Sequence, residues 1–199
     1  MIKNYSLSLL LFLFFQSTSA QNESYRDSIL AYQQNYINTH EVVGKSDKKF
    51  LNFYPVDENY RVVASFKRII DTTGFDMNTS SGMKKKHFKY GLLTFKIHDS
   101  LVHLFVYQSA ALMQQEKLKN YLFVPFGDAT SGFESYGGGR YMEFFIRDIK
   151  NNKVVLDFNK AYNPYCAYAT GYNCPIPPIE NLLKVVIAAG EKNYGKPIH

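Results

Sequence analysis

Four carboxylates and one guanidinium gather in two stretches of this sequence that do not follow core patterning: Asp128, Glu134 and Arg140 in the first, Asp157 and Glu180 in the second. The stretches, residues 125–141 and 157–181, crowd Gly, Pro, Asp, Asn and Tyr together, the makeup of loops held in a special shape. If they converge, they set two or three carboxylates beside one guanidinium. Arg140 would then grip a ligand carboxylate or phosphate in fork geometry. Asp128, Asp157 and Glu180 would be the acid–base or orienting groups, with Thr130, Tyr136, Asn159, Tyr162 and Asn163 as further ligand contacts. The same charges would serve equally as an ion-pair network pinning the loops. A pocket leaves Arg140 and at least two carboxylates lining an open cavity, whereas a clasp buries and pairs them.

Other chemistries find less support. Paired acids suit glycoside hydrolysis when they lie roughly 5–9 Å apart, and Tyr136, Tyr141, Tyr162, Tyr165, Tyr168 and Tyr172 could stack on sugar rings, but the chain has no Trp. Gly137-Gly138-Gly139-Arg140 lacks the ending of a phosphate loop and leads into a strand, so it reads as a bend that lets backbones approach closely. Cys166 and Cys174 are the two cysteines. Eight positions apart across a loop, they pair most simply as a disulfide in an exported chain, with free thiols or a metal role as alternatives. The histidines match no zinc pattern. Calcium is the ion that the oxygen ligands of Asp128, Asp157, Asn159 and Asn163 would suit, although no EF-hand spacing occurs. There is no nucleophile elbow, zinc-protease motif or dinucleotide fingerprint.

The order Asp128-Ala129-Thr130-Ser131-Gly132, Tyr136-Gly137-Gly138-Gly139-Arg140-Tyr141, Asp157-Phe158-Asn159, Ala161-Tyr162-Asn163-Pro164, Cys166-Ala167-Tyr168, Cys174-Pro175, Pro177-Pro178, Glu180-Asn181 and Ala189-Gly190-Glu191 resembles the bacterial and archaeal family called domain of unknown function 1684. The resemblance spans nearly the whole chain after its leader. It directs attention to the same two segments and implies no activity.

These segments need elements to carry them. Residues 24–40 read as a helix, with Ile29, Tyr32, Tyr36 and Ile37 at helical spacing and Ser24 or Asp27 to cap it; Gly44 ends the pattern. Strands are predicted at 50–55, 60–70, 90–97, 101–107, 121–126, 141–146 and 154–158, with 90–97 and 101–107 forming a hairpin around His98-Asp99-Ser100. In 182–189, alternation of Leu183, Val185, Ile187 and Ala189 favours a strand over a helix. With 16 Tyr and 16 Phe, the composition favours strands. The fold class is therefore mainly β: one domain of curved antiparallel sheet, barrel-like or sandwich, with an N-terminal helix.

The ends and the charge bound the rest. Residues 1–20 read as a cleavable signal peptide: Lys3, an apolar run over 7–15, then Thr18 and Ala20 at the cleavage positions. No cysteine lies near Ala20 to take a lipid. Residues 21–199 would form the single mature domain, with no transmembrane span, in the periplasm or outside the cell. The formal charge of +6 falls to +5 once Lys3 leaves. Lys84-Lys85-Lys86 reads as a solvated strand end, and no nucleic-acid module is present. Two functions follow: a polar pocket binding or hydrolysing a small polar or anionic ligand, or a non-catalytic cell-envelope protein whose loops form a disulfide-sealed clasp and whose protein partner the sequence does not name.

Overall fold

The computed structural model describes residues 6–196, with side chains from residue 23 onward. The leader expected over 1–20 falls on residues whose side chains lie outside that description. Helix α1 (Ser6–Thr39) covers the expected 24–40 helix up to Thr39 and starts upstream of it. It buries Ile29 and Gln33 and ends where the Val43 N–H donates to His40 Nδ1 at 3.1 Å. No helix among the described residues is long and apolar enough to cross a membrane.

The strands follow as β1 (Arg61–Arg68), β2 (Phe75–Asn78), β3 (Lys84–Ile97), β4 (Ser100–Ser109), β5 (Tyr121–Phe126), β6 (Arg140–Phe145) and β7 (Lys153–Asp157), with a single helical turn α2 (Ala110–Met113) between β4 and β5. Together they form one seven-stranded sheet in the order β6-β5-β4-β3-β1-β7, with β2 beside β3. All pairings are antiparallel. The sheet curls into a half-barrel, so β6 and β7 end as two edges. Residues 50–55 are not a strand; they hold a 3-10 turn (Lys48–Phe50) and one bridge from Phe53 to Glu191.

β3 is longer than predicted, because Lys84-Lys85-Lys86 pair with β2 before the apolar alternation begins. Its register against β4 shifts between Lys89 and Gly91, and such a bulge bends a strand and increases its twist. Glycine is required there: a Cβ on Gly91 would lie 2.2 Å from the Phe66 ring.

The concave face holds the core, including Phe66, Leu93, Phe95, Leu104, Val106, Leu122, Val124, Phe126, Leu156 and Phe158. Residues 182–191 cross this face. Ile187 and Ala189 are buried and Leu183 and Val185 pack beside them, so the predicted alternation is present. The strand is not. Apart from bridges from Leu182 to Gly127 and from Glu191 to Phe53, this segment is extended chain without a regular ladder. Its backbone partners come largely from a loop and two side chains, which form the first part of the site.

Candidate functional site

The two loops together line one small pocket of about 360 Å³, but Asp128 is the one candidate residue among its walls. The loops divide the candidate residues among four places.

The first is closed. Arg140, the first residue of β6, is entirely buried, as is the Asp128 side chain 3.0 Å from its Nη2. That same nitrogen donates to the Ile187 carbonyl at 2.8 Å, while Nη1 donates to the carbonyls of Ala189 and Glu191. Asp128 accepts from the Ile187 N–H at 2.8 Å and from the Thr130 N–H and hydroxyl. Thr130 and Ser135 hydroxyls meet at 2.7 Å. The pair thus occupies the position of a neighbouring strand, satisfying backbone groups of 187–191 that burial would otherwise leave unpaired. The preceding Gly139 has φ +82°, and a Cβ there would sit 2.6 Å from the Phe126 carbonyl, the close approach read from the glycine run.

The second place is also a set of pins. Asn159 is buried; its amide donates to the Asp57 carbonyl at 2.8 Å and accepts from the Asp57 N–H at 3.0 Å. Asn163 donates its N–H to Glu191 and its amide to the Lys192 carbonyl. Glu191, absent from the sequence-derived set, is fully buried and accepts the hydroxyls of Tyr168 at 2.7 Å and Tyr36 at 3.1 Å. Burial pushes its carboxyl up to about 7, against the pull of those donors and of Arg140. The hydroxyls of Tyr36 and Tyr168 are held protonated by burial and by its charge. A lone acid after the apolar run 185–189 was the signal for it. Tyr136 is partly buried against Val43, Leu51, Ala167 and Tyr168. Cys166 and Cys174 form a disulfide with Cα atoms 6.3 Å apart, and the Ser80 hydroxyl ties its loop to the β2–β3 turn.

Third, Glu180 stands apart, paired with Lys89 at 2.9 Å and accepting from Tyr107 at 3.3 Å. Those contacts lower its carboxyl although burial opposes them. It lines an apolar groove of about 830 Å³ with Ile70, Phe75, Met77, Ile176 and Ile179.

The fourth place is an open polar cleft of about 410 Å³ between the two sheet edges. β6 contributes Met142, Glu143 and Phe144; β7 contributes Val155, Leu156 and Asp157; Tyr32, Arg61, Lys160 and Tyr162 complete it. It lies beyond the bridge in which Tyr141 and Tyr162 exchange N–H···O bonds of 2.8 and 3.1 Å. Asp157 is held by the Tyr25 hydroxyl at 3.0 Å and by the Asn159 N–H and amide at 3.1 Å. Glu143 Oε2 accepts from both Tyr121 and Tyr162. Burial, then the charges of Glu143, Glu191 and Asp157, push Tyr32 up to about 12.

Of the predicted set, Asp157 and Tyr162 reach this cleft; Asp128, Thr130 and Arg140 share the closed centre, and Glu180 joins neither. The oxygen ligands grouped for calcium are split accordingly, and the described residues contain no cluster of three or more His, Cys, Asp or Glu placed to hold a metal. Arg61, Glu143 and Tyr32 were missed because they come from separate elements without a shared motif, and Lys160 was missed although it follows Asn159 within the second stretch. Only Glu143, an acid within an aromatic strand, carried a local signal.

A family model described as protein of unknown function (DUF1684) matches residues 48–192. An uncharacterized protein of Haloarcula marismortui, solved by solution NMR, is 30% identical, with 87% of this chain and 96% of that chain covered and a TM-score of 0.64. No curated protein matches the chain.

Proposed function

The chain belongs to the DUF1684 family, and from that premise we propose that it is an exported binding protein whose ligand, a small polar molecule with an anionic group, enters the cleft between β6 and β7. The observation that carries this reading is the cleft itself. Its volume of about 410 Å³ falls within the ~300–1,000 Å³ usual for small-molecule sites. Lys160 has no carboxylate partner among the described residues, and the nearest carboxylate to Arg61 is Glu58 at 3.9 Å. These two cations are the anchors, and the Asp128–Arg140 centre is the clasp that holds the scaffold. The Cys166–Cys174 disulfide supports an oxidising compartment.

The test is an NMR-monitored titration of the mature domain with a panel of small carboxylates, phosphate and amino acids. Binding should move the amide signals of Arg61, Glu143, Asp157, Lys160 and Tyr162, and Arg61→Ala with Lys160→Ala should abolish it while leaving the melting temperature within about 2 °C. A panel that leaves those signals unmoved overturns the reading.

A further inference from the structure

The charges lining the cleft balance. Arg61 and Lys160 stand against Glu143 and Asp157, so a ligand carrying only negative charge would meet two carboxylates as well as two cations. The two acids are not equivalent. Both oxygens of Asp157 accept from the Tyr25 hydroxyl, and Oδ1 takes the two Asn159 donors as well. Glu143 is different, because both tyrosine hydroxyls converge on Oε2. Its Oε1 has no donor among the described residues, and the side chain belongs to an exposed residue of an edge strand.

The cations are also placed for recognition. Lys160 Nζ lies over the Tyr32 ring, 5.3 Å from its centroid, and the Arg61 guanidinium lies 5.3 Å over Tyr25. Both are steadied by aromatic faces and keep donors free for an incoming carboxylate. Tyr121 and Tyr162 hold Glu143 in one orientation from below; burial and the Glu143 charge raise both hydroxyls, which keeps them donors at any physiological pH.

Resting on the cleft reading above, we propose that its ligand is a small zwitterion of the amino-acid or dipeptide class. The carboxylate meets Arg61 and Lys160, and the ammonium donates to Glu143 Oε1. Each contact is a charge-assisted hydrogen bond, and deleting one partner should weaken binding roughly 10- to 100-fold.

Calorimetric titrations of the mature domain with L-alanine and dialanine, against succinate and propylamine, test this directly. At least one zwitterion should bind roughly tenfold or more tightly than either single-sign probe. Glu143→Gln, which keeps the shape and the tyrosine contacts, should reduce zwitterion affinity roughly 10- to 100-fold and leave succinate no weaker; Lys160→Ala should weaken both. A melting curve for Glu143→Gln matching the wild type establishes that the variant is folded, and Glu143→Asp serves as a second variant if it is not. Succinate binding as tightly as the zwitterions, or a Glu143→Gln variant that binds them unchanged, overturns the zwitterion and leaves the anion-binding cleft standing. No heat from any probe overturns both.

Discussion

Replacing Asp128 with alanine should be among the most damaging single changes in this chain, and the structure sets its size. The substitution leaves the Arg140 guanidinium charged and fully buried, with carbonyl oxygens as its remaining partners. It also orphans the Ile187 N–H and the Thr130 donors. Breaking one side of a buried ion pair costs about 3–5 kcal/mol. At roughly 2–4 °C per kcal/mol for a chain of this length, the melting temperature should drop by about 6–20 °C. Arg140→Ala should cost a similar amount by a different route, since it strands the carbonyls of Ile187, Ala189 and Glu191. The double variant should fall short of the sum of the two, by about 0.5–3 kcal/mol, because partners in one network couple. Urea unfolding of the four proteins measures that cycle, and hydrogen exchange adds a local readout: the Ile187 amide should lose its protection in Asp128→Ala ahead of the amides of β4. Single variants that melt within about 2 °C of wild type, or strictly additive effects, would refute the claim that this pair stands in for a strand neighbour.

Stability should also fall with rising pH through Glu191. Its folded carboxyl lies at about 7 against the ordinary glutamate value of 4.5, so its contribution is complete below 4.5 and is lost as pH rises through 7, by about 3 kcal/mol. Thermal melts at pH 5 and pH 8 should show a drop that Glu191→Gln removes; an unchanged slope in that variant would exclude this group. Cys166→Ser with Cys174→Ser opens a loop with a sequence separation of 8, which chain-entropy arguments put at about 2–3 kcal/mol, readable in the same urea titrations. Gly139→Ala places a Cβ against the Phe126 carbonyl at positive φ and should lower stability by more than about 1 kcal/mol, whereas Gly82→Ala, with open space around it, should cost less despite its own positive φ.

Much of the scaffold could be read from residue order, and the places where reading stopped have physical causes. Strand 121–126 agrees with β5 at both ends because turn residues bound it on each side. β2 was invisible, since Phe75-Asp76-Met77-Asn78 is short, and the lysines opposite it, readable as a solvated strand end, give no apolar alternation to join them to the strand at 90–97. In 182–189 the alternation correctly identified which side chains face inward. It could not reveal that the backbone beside them is satisfied by side chains, because periodicity reports burial and not the identity of the hydrogen-bond partner.

That last distinction explains why the residues that look most chemical hold the fold and the cleft draws on others. A half-barrel has a concave face to cover and two edges to manage. Covering the face with an extended segment at 182–191 brings polar backbone into the core, and each buried N–H or C=O left unmatched costs about 1–3 kcal/mol. A group that can serve several of these at once must carry many donors or acceptors in a fixed arrangement, which selects a guanidinium, a carboxylate and carboxamides. Arg140 and Asp128 fill those roles, and Asn159, Asn163 and Asn181 do the same for backbone elsewhere: Asn159 at Asp57, Asn163 at the Lys192 carbonyl, and Asn181 at the Phe105 N–H and carbonyl and the Pro125 carbonyl. Such residues mimic an active site in sequence because both tasks require directed polar groups in special loops. The two sheet edges, by contrast, meet across a gap with ordinary strand and helix residues, Glu143, Arg61 and Tyr32 among them. Only the curl of the sheet brings those residues together, so the cleft is a property of topology, and its chemistry is legible only after the strand order is known.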